Sequence, residues 1–88
     1  MILTRFTVTS TIIPAQVGSV YTVPVASFAN PGALLVGMVI AFTDSACHLT
    51  FARVGNFLNG MVPLTTLYTQ PGFNGQVLAG TPVYLFGF

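Results

Sequence analysis

Apolar and polar residues alternate along most of this chain with a period of two, the spacing of β-strands whose two faces meet different surroundings. Residues 2–9 place Ile2, Phe6 and Val8 on one face with Thr4, and Leu3, Arg5, Thr7 and Thr9 on the other. Residues 10–18 mix Ile12 and Ile13 with Pro14 and Gly18. Pro14 has no amide to give a ladder, so this stretch reads as an edge segment or a connection. Residues 19–25 alternate again, with Val20, Thr22 and Pro24 opposite Tyr21, Val23 and Val25.

Residues 33–42, ALLVGMVIAF, break the alternation: they carry no charge, amide or hydroxyl side chain. A helix crossing a bilayer needs about 20 apolar residues, and this run is too short. Its β-branched Val36, Val39 and Ile40, with Gly37 among them, disfavour a helix. The stretch therefore predicts a central strand buried on both faces. Leu34, Val36, Met38, Ile40 and Phe42 form the heavy face, and Ala33, Leu35, Gly37, Val39 and Ala41 the lighter one. Asn30-Pro31-Gly32 ahead of it has the composition of a type II turn.

A polar turn at 43–46 and a returning strand at 47–54 make a hairpin. In it Cys47, Leu49 and Phe51 point one way and His48, Thr50 and Ala52 the other. Residues 55–60 are a Gly- and Asn-rich loop with Phe57 and Leu58 tucked inside. Residues 61–69 read as a strand broken early by Pro63, and 70–75 as a turn holding a Pro-Gly and an Asn-Gly. A short extended piece at 76–79, a turn at 80–82 and a last strand at 83–88 complete the chain. Turns recur every 8 to 12 residues or so, the rhythm of a sandwich or barrel. The expected fold is a single all-β domain over residues 1–88, with six to eight short strands. It is a small jelly-roll-like β-sandwich or a small β-barrel.

Composition changes the picture in one respect. Only 3% of the 88 residues are charged, against roughly 25% in ordinary proteins. Arg5, Arg53 and Asp44 are the whole set, and there is no lysine or glutamate. A chain so poor in charge is weakly protected against association. A domain of this size also buries only about 60–65% of its unfolded surface, so its core is marginal. One cysteine, Cys47, cannot close an internal disulfide. Cys47, His48 and Asp44 are too few for a structural zinc, and no cofactor is expected. Oligomerisation is the remaining support. A nucleic-acid partner would need a basic footprint that is missing here. Met1, Ile2 and Leu3 offer no basic leader, so no signal peptide is expected. The apolar ends, Met-Ile-Leu and Leu-Phe-Gly-Phe, are expected to pack against the core or a neighbour.

Candidate chemistry is thin. Cys47 as nucleophile with His48 as base is disfavoured, because adjacent strand residues diverge; a buried cysteine and a surface or interface histidine is the better expectation. Asp44 with Ser45 reads as turn chemistry, with an Asp44–His48 contact possible across the hairpin. Arg5 and Arg53 are candidates for interface ion pairs. His48, Phe86 and Phe88 join them as candidate interface residues. One His, one Asp and one Cys leave little for acid–base work, so an enzyme is not expected.

Size, strand-and-turn rhythm and the closing Ala79-Gly80-Thr81-Pro82-Val83 turn resemble the small all-β minor capsid, cement or decoration proteins of bacteriophages. The resemblance implies a structural virion protein, made in a host cytoplasm. It would bind itself, often as a homotrimer, and stabilise neighbouring capsid subunits. The alternative is a self-assembling fibre or membrane-associated β-protein, favoured by uncharged strand edges and the apolar stretch 33–42. Of these the membrane is the less expected partner.

Overall fold

A computed structural model describes residues 3–87, with side chains from Phe6 onward. The expectations placed on Met1, Ile2 and Phe88 lie outside these residues, as does the side chain of Arg5. Six strands form one antiparallel sheet: β1 (Leu3–Thr7), β2 (Val20–Pro24), β3 (Val39–Thr43), β4 (Leu49–Val54), β5 (Met61–Thr69) and β6 (Pro82–Gly87). Their spatial order is β1-β6-β3-β4-β5-β2. The sheet curls into a half-barrel, so the two edge strands approach each other. They meet just beyond β1 and β2, where Val8 bridges Phe28. There Thr9 N–H donates to Ser27 C=O at 2.8 Å and Ala29 N–H to Thr7 C=O at 2.9 Å. Phe6 and Phe28 clasp the seam edge to face, their centroids 6.2 Å apart. Such a pair contributes about 0.5–1.5 kcal/mol beyond its buried area.

The all-β expectation holds, with one curled sheet in place of two stacked ones. Inward positions follow the period-two pattern. Thr50, Ala52 and Val54 on β4 and Val62, Leu64 and Thr66 on β5 are all buried. With Phe6, Val8, Ile40, Phe42 and Val83 the apolar ones fill the concave side. Fully burying Ile40, Phe42 or Leu64 stabilises the fold by about 1.5–3 kcal/mol each. The accessible surface is 4647 Å², against about 5,000 Å² expected for a compact monomer of this mass. Apolar residues left outside are therefore not the result of loose packing.

Four expectations are corrected. The stretch 33–42 is not one strand. Pro31–Ala33 is a single 3-10 turn, Gly37 has φ +91°, and only Val39 onward joins the sheet. Met38 N–H turns back to Leu35 C=O at 3.1 Å, which leaves Leu35 and Val36 about half exposed. Leu34, Met38, Ile40 and Phe42 of the heavy face are buried, and Val36 is not. The Asn30-Pro31-Gly32 turn is not type II. Ala33 N–H does bond to Asn30 C=O at 3.1 Å, but Gly32 does not have the positive φ that a type II turn needs at its third position, and Pro31–Ala33 is 3-10. Pro63 does not break β5, which runs nine residues. Its carbonyl accepts from Gly55 at 2.8 Å, so the side lacking an N–H faces the loop past the end of β4 and not the β2 ladder. Phe57 and Leu58 are not tucked in: both are exposed, at 39% and 70%. Leu58 and Met61 exchange two backbone bonds around Asn59-Gly60. Both turn residues have positive φ, +53° and +73°, as a tight type I′ hairpin requires.

Candidate functional site

The outward positions of the central strands form one aromatic row. Tyr84 on β6 stands beside Ala41 on β3, Ala41 beside Phe51 on β4, and Phe51 beside Tyr68 on β5. Phe86 packs edge to face on Phe51 at 5.4 Å, and Tyr68 lies tilted against it at 6.1 Å. The row arises because β4 spends its inward positions on Thr50, Ala52 and Val54, which leaves Leu49, Phe51 and Arg53 pointing out. Ala41 is fully buried on this face, since large aromatics flank its small side chain on both sides. Tyr68 and Phe86 remain 50% and 43% exposed.

Toward the β3–β4 hairpin the row opens into a hollow of about 410 Å³, lined by Thr43, Cys47, Leu49, Tyr84 and Phe86. Its wall is mainly carbon. Cys47 is exposed, not buried as its place in a strand pattern suggests. The strand starts only at Leu49, and Cys47 sits in the preceding turn with φ +67°.

Asp44 holds that turn. Its Oδ1 accepts from the amides of Ala46 at 2.9 Å and His48 at 2.8 Å. Its Oδ2 meets His48 Nδ1 at 3.2 Å and accepts from the Asn74 amide at 2.8 Å. The carboxylate side chain is wholly buried. Burial raises its pKa, but the three amides and the imidazole outweigh burial and lower it from 3.8 to about 2. Both readings of Asp44, turn chemistry and a contact to His48, are thus present. Asn74 reinforces the join, its side-chain amide donating to Ser45 Oγ at 3.1 Å. The histidine ring lies on Gly72, where an added Cβ would come 2.9 Å from Nε2.

The candidate interface residues do not form one site. Phe86 belongs to the aromatic row and lines the hollow. His48 points away from the hollow, toward Asp44 and Gly72. Arg53 is exposed at the far end of β4, where its Nη1 donates to Gly37 C=O at 2.9 Å. Arg5 stands in β1, its side chain beyond the described atoms, and Phe88 lies outside them. The sequence reading missed Tyr68, Tyr84 and the tip at Leu58. The alternation of β4 was legible, but its phase was not: Leu49 and Phe51 share the face on which a buried Cys47 was expected, and the structure turns that face outward. Which strands flank it was not legible either, because β6 comes beside β3 from far along the chain, Ala41 pairing with Tyr84.

Among the described residues no three side chains of His, Cys, Asp or Glu come together. No helix among them is long and apolar enough to cross a membrane. No protein-family model, no curated protein and no solved structure matches this chain.

Proposed function

We propose that this chain is a structural subunit of a protein shell, binding and stabilising its neighbours without catalysis. The observation that carries this reading is the row Tyr84–Ala41–Phe51–Tyr68. It crosses four strands of a compact fold and holds no charge. Cores of protein interfaces are depleted in charge and enriched in aromatics, and large exposed apolar patches on folded domains mark interaction sites. The resemblance to phage capsid-associated proteins supplies the setting: a virion, with capsid subunits and further copies of this chain as partners, a trimer being the expected homo-oligomer. An edge-paired fibre fits less well, because the sheet edges converge at the Val8–Phe28 bridge and β2 ends on Pro24. Mass photometry of the isolated chain at micromolar concentration tests the reading. An oligomer is the expected result; a stable monomer overturns it.

A further inference from the structure

Two of the chain's asparagines precede glycine, in Asn59-Gly60 and Asn74-Gly75. That dipeptide has a reaction of its own. The backbone nitrogen of the glycine, uncrowded by a Cβ, attacks the asparagine Cγ. The bond from Cγ to the side-chain nitrogen breaks and ammonia leaves, which gives a cyclic imide. Water then opens the imide to aspartate or isoaspartate. In balance an amide and a water become a carboxylate and an ammonium, with no oxidant or cofactor. Asn30 is excluded because Pro31 has no N–H, and Asn56 is disfavoured by the bulk of Phe57.

The fold treats the two sites differently. Asn74 is fastened at three points. Its backbone N–H donates to Asp44 Oδ2 at 2.8 Å, its Nδ2 donates to Ser45 Oγ at 3.1 Å, and its Oδ1 accepts from Gln76 N–H at 3.2 Å. With both ends of the side chain held, Cγ is not free to swing toward the Gly75 nitrogen. Freeing the residue takes a donor from a buried carboxylate, and charge-assisted bonds are roughly twice as strong as neutral ones. The same carboxylate opposes the negative charge that builds as nitrogen attacks Cγ.

Asn59 has none of these restraints. It is exposed at the tip of the 55–60 loop, and neither its side chain nor Gly60 N–H has a hydrogen-bond partner among the described residues. In the closed turn a type I′ ψ of about +30° sets Cβ and the next nitrogen on opposite sides of the Cα–C bond, so attack waits for the tip to open. Opening breaks only neutral backbone bonds: the Leu58–Met61 pair at 3.1 and 2.9 Å, and Val25 N–H to Gly60 C=O at 2.9 Å. It also releases Asn59 from φ +53°, a left-handed conformation that costs a residue with a Cβ.

We infer that Asn59 is a site of spontaneous deamidation in the folded chain, and that Asn74, in the same dipeptide, is shielded from it. This goes beyond the shell-subunit reading and does not depend on it. The consequence is large for a chain so poor in charge. One new carboxylate cancels the formal net charge of +1, and it lands beside Leu58, 70% exposed. A protein near zero net charge associates more readily, so an ageing chain alters its own surface without a modifying enzyme.

The test incubates the purified full chain in warm, mildly alkaline buffer, with and without urea, over several days. Peptide mapping by mass spectrometry reads the converted fraction at each asparagine, and an isoaspartyl methyltransferase labels the isoaspartate. In the folded chain Asn59 is expected to convert at least about tenfold faster than Asn74, because its local opening is easier. In urea the two rates converge, since the dipeptide is the same. Asp44→Ala removes the acceptor that fastens Asn74; there the Asn74 rate is expected to rise severalfold while that of Asn59 stays unchanged. Should Asp44→Ala fail to fold, both rates rise to their urea values and the wild-type comparison decides alone. Equal rates in the folded wild type, a faster Asn74, or an Asn59 that stays intact while the urea-treated chain converts would each overturn the inference. A folded Asp44→Ala chain whose Asn74 reacts no faster overturns the shielding.

Discussion

The backbone amide of Asn74 donates to Oδ2 of Asp44 at 2.8 Å, across 30 residues of sequence. Through it the chain's one acidic side chain ties the β3–β4 turn to the loop between β5 and β6, and so fixes one wall of the hollow. Replacing Asp44 with Asn keeps the size but sets an NH₂ group against donors. The expected outcome is a lower denaturant midpoint at unchanged m-value, with Cys47 alkylating faster as its turn loosens.

The same residue gives the fold an acid limit. Folding lowers the Asp44 pKa from 3.8 to about 2, so the unfolded chain holds the proton more tightly than the folded one. The stability from this group is therefore complete above about pH 4 and declines as the pH falls from there through 2. Thermal unfolding measured at steps between pH 5 and 2 should show that decline in the wild type and a shallower one in Asp44→Asn.

Gly72 has φ +94°, and a Cβ there would meet His48 Nε2 at 2.9 Å. Gly72→Ala is expected to destabilise the fold by about 1–2 kcal/mol from the backbone conformation alone, with a steric cost in addition. His48→Ala in the same chain should recover the steric part and leave the backbone part. A double-mutant cycle by urea unfolding separates the two.

Thr66 is 1% exposed, and its Oγ1 has no hydrogen-bond partner among the described residues. A valine of the same shape removes the stranded hydroxyl. Thr66→Val should be neutral or raise stability by up to about 1 kcal/mol, read as a higher melting temperature. The phenol of Tyr21 is similarly unpartnered, and burial pushes its pKa up. Tyr21→Phe should behave in the same direction.

The two sides of the sheet should respond differently to truncation. Phe42 is fully buried, and Phe42→Ala is expected to cost about 3–5 kcal/mol, enough to unfold much of a small domain. Tyr68 is half exposed on the outer row. Tyr68→Ser should change the unfolding midpoint of the dissociated chain little and still lower the mass distribution at a given concentration. Chemical unfolding and mass photometry on the same samples distinguish these effects.

The period-two pattern by itself determined that the chain is all-β and that turns fall near 43–46 and at 70–75. It did not determine which face of β4 turns inward: the expectation of a buried Cys47 pointed to the Leu49 and Phe51 face, and the structure buries Thr50, Ala52 and Val54. Alternation and turn chemistry are local, and they survive whatever the strands pair with. Charge scarcity likewise needed no coordinates to point toward association. The tertiary structure decided where the ALLVGMVIAF run divides, because only the return of Met38 to Leu35 and the positive φ of Gly37 show that half of it is a turn. It decided that Cys47 is outside, since the first paired residue of β4 is Leu49. It also decided that Tyr84, Phe51 and Tyr68 share one row, and that a hollow and a tip stand at opposite ends of β4. Those facts depend on strand order and on registers shifted by bulges between Val39 and Ile40 and between Phe51 and Ala52. A one-residue slip in register turns a side chain to the other face, and no local pattern records it.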